Sequence, residues 1–246
     1  MKVAILGNGF VGNATNHFLT TFCKDVEVMI EDPAQGKHID DWSEVEYTFI
    51  CVPTDIEDVN RRLSLSNVLV ALERAKGTCI IRSTVGPDQV GVLALSTNKP
   101  IILWPEFLRE KSWKEDVENP KFPILLGGDA NKFHHDVLPH DFRHVVRTTN
   151  VEAAMIKVSR NAMLAAKVAQ SNMIYDMCTK WNAQYEVVKN FLKTEGTLGK
   201  THYDVPGHDN KRGFGGKCLP KDTTHWESMF DEDNMFTMLL EYNETL

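Results

Sequence analysis

The stretch Lys2-Val3-Ala4-Ile5-Leu6-Gly7-Asn8-Gly9-Phe10-Val11-Gly12 decides the fold. Four consecutive apolar residues after Lys2 read as a strand buried on both faces. A glycine-rich turn follows, and a helical pattern runs from Val11 to Cys23. Gly7 and Gly9 permit a tight bend and close approach of backbone to a pyrophosphate. Gly12 lets the helix pack closely on the strand, and the helix N-terminus faces the negative charge. Asp32 lies 20 residues past Gly12, at the end of a second strand pattern. A carboxylate there accepts hydrogen bonds from an adenosine ribose, which fits NAD and opposes the 2′-phosphate of NADP. Neighbouring Glu31 is the competing assignment, and Lys37 is close enough in sequence to assist. The expected cradle is therefore Gly7, Asn8, Gly9, Phe10, Val11 and Gly12, with Asp32 and Lys37 at its rim.

Working outward, strand patterns recur at Lys2–Leu6, Val26–Glu31, Tyr47–Val52, Thr78–Ser83, Ile101–Trp104, Pro123–Gly127 and His144–Thr148. Helical patterns such as Val11–Cys23 and Ser66–Lys76 separate them. Strands apolar on both faces and joined by helices predict a doubly wound, mostly parallel, Rossmann-like sheet over residues 1–148. From Thr149 the pattern changes. Thr149-Asn150-Val151-Glu152 reads as a capping box, followed by a run without Pro or Gly to about Lys180. A second helix is expected near Ala183–Thr194, a loop over 196–222, and a helix over Thr223–Leu240. The class is thus α/β, with a cofactor-binding domain at 1–148 and an all-helical domain with a long central helix at 149–246.

Composition excludes several functions. Lys and Arg number 27 against 34 Asp and Glu among 246 residues, a formal net charge of −7. Nucleic-acid or anionic-membrane partners call for a dense cationic surface, so neither is expected. No apolar run approaches the roughly 20 residues of a membrane span, and the N-terminus reaches glycine before a signal-peptide core is complete. The five cysteines are scattered without a CxxC pair, so a zinc knuckle or disulfide framework is not indicated and a reducing cytoplasm is the expected location. Cys51 and Cys79 fall in apolar strands and read as small buried hydrophobes. His134, His135, His140 and His144 could approach a metal-binding number, but their polar, irregular stretch reads as solvated surface; no metal is expected.

The second zone carries reactive chemistry. Lys157 and Asn161 are spaced i, i+4 and share one helix face, where an ammonium and an amide can clamp an oxygen that gains negative charge. In Gly213-Phe214-Gly215-Gly216-Lys217-Cys218-Leu219-Pro220-Lys221-Asp222 the glycines admit a ligand close to backbone and Pro220 suits a helix's first turn. Cys218 then precedes a helix N-terminus, where the partial positive charge and nearby lysines favour thiolate. Asp222 lies one turn on, as an acid/base partner to an activated nucleophile.

Taken in order, Gly7–Gly12, Cys51-Val52-Pro53-Thr54, Ser83-Thr84-Val85, Pro105-Glu106-Phe107-Leu108-Arg109-Glu110, Lys157 with Asn161, and Gly213–Asp222 resemble the UDP-glucose 6-dehydrogenase (nucleotide-sugar dehydrogenase) family. The resemblance covers residues 1 to about 225. It implies oxidation of a sugar C6 alcohol to a carboxylate with two NAD⁺ and no release of aldehyde. It implies that Cys218 forms a thiohemiacetal and then a thioester, and that Glu106 activates or orients water with help from Thr84. Lys157 and Asn161 would stabilise the oxyanion and Asp222 would assist proton transfer. Pro53, Thr54, Thr84 and Glu110 would border the nicotinamide. Glu106, Phe107, Leu108, Lys157, Asn161, Phe214, Gly215, Gly216 and Cys218 would contact the substrate. The long helix would form a homodimer interface.

Four positions depart from the family pattern: Gly86 stands where proline is common, Trp104 where a small or polar residue precedes the Pro-Glu-Phe element, Lys111 where glycine is frequent, and Lys217 adds charge near the thiol. The sequence closes 24 residues after Asp222, ahead of the family's third, nucleotide-gripping domain. The expectation is a short form that oxidises UDP-glucose to UDP-glucuronate. The alternatives are the same chemistry on a smaller or carrier-linked sugar, or an NAD-binding half completed by a partner chain.

Overall fold

The computed structural model describes residues 1–246 apart from 24, 58, 120–122 and 139–143, and leaves aside the side chain of Glu110. Its parallel sheet contains β1 (Lys2–Leu6), β2 (Glu27–Glu31), β3 (Val45–Ile50), β4 (Thr78–Ile81) and β5 (Ile101–Leu103), in the order β2-β1-β3-β4-β5. A second parallel pair joins β6 (Ile124–Gly127) to β7 (Val145–Thr148). All seven strand patterns in the sequence become strands, six of them shorter by one or two residues at one end, and β3 begins two residues earlier than expected. Nine helices are described: α1 (Phe10–Phe22), α2 (Ser66–Arg74), α3 (Val90–Leu95), α4 (Trp113–Glu118), α5 (Asn131–Val137), α6 (Asn150–Lys180), α7 (Tyr185–Thr194), α8 (Leu219–Ser228) and α9 (Met235–Glu244).

The chain divides into two compact units, Met1–Asp55 with Leu63–Lys157, and Ile56–Arg62 with Val158–Leu246. In the first, side-chain alternation along the strands builds two apolar layers. Val3, Ile5, Tyr47, Phe49, Ile80, Ile102 and Trp104 pack with Phe18 and Leu19 of α1 and Phe133 of α5. Leu6, Ile50, Cys79, Ile81 and Leu103 pack with Val68 and Leu72 of α2, Leu93 of α3, and Ala153 and Ala154 of α6. Burial on both faces explains why these strands read as continuous apolar runs. The edge of β5 is met by a side chain: Asn150 accepts from the Leu103 N–H at 3.0 Å and donates to the Ile101 carbonyl at 3.2 Å.

In the second unit the alanines of α6 allow close packing. Ala165 and Ala169 meet Phe214 in one cluster, flanked by Leu239 and Leu240 of α9. Within the first unit the capping box opens α6 as read: Glu152 accepts from the Thr149 N–H at 2.9 Å and its own N–H donates to the Thr149 hydroxyl at 3.2 Å. Two expectations are corrected. The final helical stretch is broken, with α8 beginning at Leu219 and α9 at Met235. Asn234 causes the restart, since its carboxamide accepts from the Phe236 N–H at 2.8 Å and satisfies an end group of the new helix. His134 and His135 lie in α5 rather than in irregular chain, and His140 lies outside the described residues.

Candidate active site

The order of the sheet reverses direction at β1 and β3, so the crevice beyond their carboxyl ends is where an α/β fold receives ligand. The Gly7–Gly12 turn stands at that point. Gly7 has φ +91°, and a β-carbon on it would come 2.6 Å from the Cys51 carbonyl oxygen. One on Gly12 would come 1.9 Å from the Gly7 oxygen, whereas one on Gly9 would meet nothing within 4 Å. The turn is therefore closed against the protein and open outward. The N-terminus of α1, with Phe10, Val11 and Gly12 in its first turn, has no side-chain cap and no acidic residue there. The Asn8 side-chain oxygen is buried without a partner. Uncapped N–H groups, an open glycine and an orphaned acceptor suit a dinucleotide's pyrophosphate and ribose.

Burial separates the two acids at the end of β2. Glu31 is buried and fully engaged, accepting from Arg74 Nη2 at 2.9 Å and from the Ile39 N–H at 3.1 Å. Asp32 is half-buried at the turn, where it accepts from the Asn8 N–H at 2.7 Å. Gln35 accepts from Asn8 Nδ2 at 2.7 Å and donates to the Asn8 carbonyl at 3.0 Å. Asp32 is thus the acid at the cradle. Lys37 is exposed and joined to Asp32 through backbone hydrogen bonds.

Beyond the other strands of this unit, Pro53 is exposed, Thr54 is buried and Thr84 half-buried. Ser83 Oγ donates to the Val52 carbonyl at 2.7 Å, tying the two loops together. Glu106 is buried and accepts from the Leu108 N–H at 2.7 Å. Lys157, also buried, donates to the Glu106 carbonyl at 2.8 Å; its Nζ lies 3.5 Å from the Glu106 carboxylate and 5.6 Å from the Phe107 ring centre. The Glu110 side chain lies outside the described residues.

In the second unit, Cys218 is the exposed residue immediately before α8, with Pro220 in that helix's first turn. Gly215, Gly216 and Lys217 are exposed alongside it, while Phe214 is buried. Asn243 of α9 anchors the loop, accepting from the Phe214 N–H at 2.7 Å and donating to its carbonyl at 3.1 Å. A β-carbon on Gly213, which has φ +76°, would collide with the same Asn243 at 2.5 Å. Asp222 is 0% exposed. Its carboxylate accepts from Asn161 Nδ2 at 2.6 Å and Lys221 Nζ at 2.7 Å. The two α6 donors read as one clamp are thus each held by a carboxylate, Lys157 by Glu106 and Asn161 by Asp222. The sequence did not point to Lys221 as the partner of Asp222, nor, in the first unit, to Arg82 as a buried cation just after β4. An arginine closing an apolar strand was the available signal. Among the described residues no group of three or more His, Cys, Asp or Glu is placed to hold a metal, and no helix is long and apolar enough to cross a membrane.

Residues 151–245 match the model of the UDP-glucose/GDP-mannose dehydrogenase family central domain. A UDP-glucose 6-dehydrogenase of Rhizobium meliloti is 28% identical over 200 residues, covering 72% of this chain and 44% of its own. The chain is thus similar to nucleotide-sugar dehydrogenases, through its residues 151–245 and through this relative. A GDP-mannose 6-dehydrogenase of Pseudomonas aeruginosa is likewise 28% identical, over 72% of this chain and 45% of its own. The structure of a UDP-D-ManNAc dehydrogenase from Pyrococcus horikoshii superposes with a TM-score of 0.76 at 18% identity, over 99% of this chain and 68% of that one, which shows a shared fold. The chain spans less than half the length of these two curated family relatives.

Proposed function

We propose that this chain catalyses NAD-dependent oxidation of the C6 alcohol of a nucleotide sugar to the carboxylate, with UDP-glucose as the first candidate substrate. The observation that carries the reading is the Cys218–Asp222 turn: an exposed thiol at a helix N-terminus, with a fully buried carboxylate one turn on that is held by Asn161 and Lys221. Gly7–Gly12 and Asp32 would hold the dinucleotide's pyrophosphate and ribose, with Pro53, Thr54, Thr84 and Glu110 toward the nicotinamide. The cofactor, when bound, accepts a hydride in each of two oxidations.

In the first oxidation the alcohol loses its hydride and its proton, giving the aldehyde. Cys218 sulfur then bonds to the aldehyde carbon, and Lys157 and Asn161 stabilise the oxygen that gains charge. Loss of the second hydride leaves a thioester on Cys218. Water, oriented by Glu106 and Thr84, adds to it; the carbon–sulfur bond breaks and the thiolate leaves, with Asp222 assisting proton movement. Phe107, Leu108, Phe214, Gly215 and Gly216 contact the sugar. The division of labour follows residues 1–148 for the cofactor and 149–246 for the substrate and a homodimer contact along α6.

The test is NADH formation with UDP-glucose, GDP-mannose, UDP-N-acetylmannosamine and smaller phosphorylated sugars. At least one should support turnover, and Cys218→Ala should abolish carboxylate production. Carboxylate formed at the wild-type rate by Cys218→Ala would sink the thioester route.

A further inference from the structure

Gln35 lies outside every role assigned above, yet its side chain is tied into the β1–α1 turn. Asp32 and Lys37 exchange backbone hydrogen bonds at 2.9 and 3.0 Å, which closes a short loop after β2. Gly36 completes the loop in the left-handed conformation, at φ +66°. The Asp32 carboxylate accepts two backbone N–H groups, one on each oxygen: Asn8 on Oδ2 at 2.7 Å and Gln35 on Oδ1 at 3.2 Å. The same two donor residues are then joined to each other. Gln35 Nε2 donates to the Asn8 carbonyl at 3.0 Å, and Asn8 Nδ2 donates to Gln35 Oε1 at 2.7 Å. Only one orientation of the two amides satisfies this network. A carbonyl can only accept, so Gln35 turns its nitrogen to the Asn8 backbone and its oxygen to the Asn8 amide. Asn8 must therefore offer Nδ2 to Gln35, which leaves its Oδ1 buried without a hydrogen-bond partner among the described residues. Asn8 is 5% exposed, and an unsatisfied buried acceptor is both rare and unfavourable. The network holds that orientation nonetheless, through the side chain of an exposed residue.

We propose that Gln35 is a positioning residue for Asp32: it latches the loop after β2 to the β1–α1 turn, so that one N–H from each side holds the carboxylate in a single orientation. The inference rests on the reading of Gly7–Gly12 and Asp32 as a dinucleotide cradle, and extends it to the adenosine ribose. With one N–H on each oxygen the carboxylate plane is fixed, and each oxygen keeps lone pairs for a ribose hydroxyl. A carboxylate already held in place gives up little freedom when the hydroxyl arrives, and preorganisation of this kind strengthens binding. It also selects its ligand, since a 2′-hydroxyl donates to a carboxylate whereas a 2′-phosphate meets like charge. Without the latch, the two turns that supply the N–H groups are free to drift apart.

The test is calorimetric titration of the purified chain with NAD and with its analogue lacking the adenosine 2′-hydroxyl, for wild type and Gln35→Met. Methionine keeps the length of the side chain and removes both of its hydrogen bonds. Wild type should prefer NAD over the analogue at least about tenfold, as expected of a hydrogen bond to a charged acceptor. Gln35→Met should weaken NAD binding at least about fivefold, and should shrink that preference at least about threefold, as groups coupled in one network do. A smaller change in either quantity overturns the inference, and so does a wild type indifferent to the 2′-hydroxyl. Loss of the preference is the readout that separates aiming of Asp32 from general damage to the loop. Should Gln35→Met fail to fold, Gln35→Glu, which sets an oxygen against the Asn8 carbonyl, takes its place under the same thresholds. The titration needs no sugar. A chain that shows the preference and its loss but makes no NADH therefore defeats the functional reading alone, whereas a wild type that binds neither ligand defeats both.

Discussion

At Lys157 an ammonium and the Glu106 carboxylate share an interior, with side chains 5% and 7% exposed and 3.5 Å between charges. Removing one member of such a pair strands the other. Lys157→Met is therefore expected to cost about 3 kcal/mol of stability, well above a surface substitution, as read by the urea midpoint. His202 makes a second residue-scale case. Burial, then the charges of Lys167 and Arg160, hold its imidazole below the usual histidine range, with Asp204 opposing them. The folded chain thus binds this proton less readily than the unfolded chain. Its contribution is intact above about pH 6.5 and is lost as pH falls from there through the lower folded value. His202→Asn, which suits the backbone at φ +68°, should flatten the drop in stability between pH 7.5 and 5.5; an unaltered drop in that variant would count against the assignment. Cys218, Asp222, Lys157 and Asn161 could be singled out in sequence because the roles proposed for them depend on residue type at short fixed spacing. The contacts of Lys221 with Asp222 and of Arg82 with Trp104 could not, because side-chain direction decides them and spacing does not encode it. The choice between Glu31 and Asp32 needed the third dimension, since only burial by Arg74 and Ile39 shows which acid is already engaged.

Among elements, the β1–α1 turn separates folding from binding. Gly12→Ala forces a β-carbon to 1.9 Å from the Gly7 oxygen and should lower the melting temperature together with NAD affinity. Gly9→Ala places its β-carbon in open space, so it should melt like wild type and lose NAD binding alone. Thermal melts with and without NAD distinguish the two; equal melting of all three proteins would refute the closed-inside geometry. Asn234→Ala should cost about 1 kcal/mol through the lost cap of α9. The seven strands were readable because burial on both faces writes an unbroken apolar run. The break between α8 and α9 was overlooked because Met229 and Phe230 carry the apolar pattern into it, although Asp231, Glu232, Asp233 and the cap at Asn234 mark the stop.

For the whole molecule, α6 presents Met163, Met173 and Met177 to solvent, Trp181 just past its end joins them, and α7 adds Phe191. Exposed apolar side chains in this number fit the proposed homodimer contact. Sedimentation should give a dimer that Met177→Glu together with Trp181→Glu dissociates; a wild-type monomer at high concentration would remove the proposal. The side chain that completes the edge of β5 has a metrical consequence. From Asn150 to Lys157 the helix advances seven residues, about 10.5 Å and almost two whole turns. From Leu103 to Glu106 an extended chain reaches about 10 Å. Helix and strand therefore work as two scales of a vernier that coincide at two marks, Asn150 on Leu103 and Lys157 on Glu106. An alanine inserted after Ala154 would keep the first coincidence and turn the second mark away by about 100°.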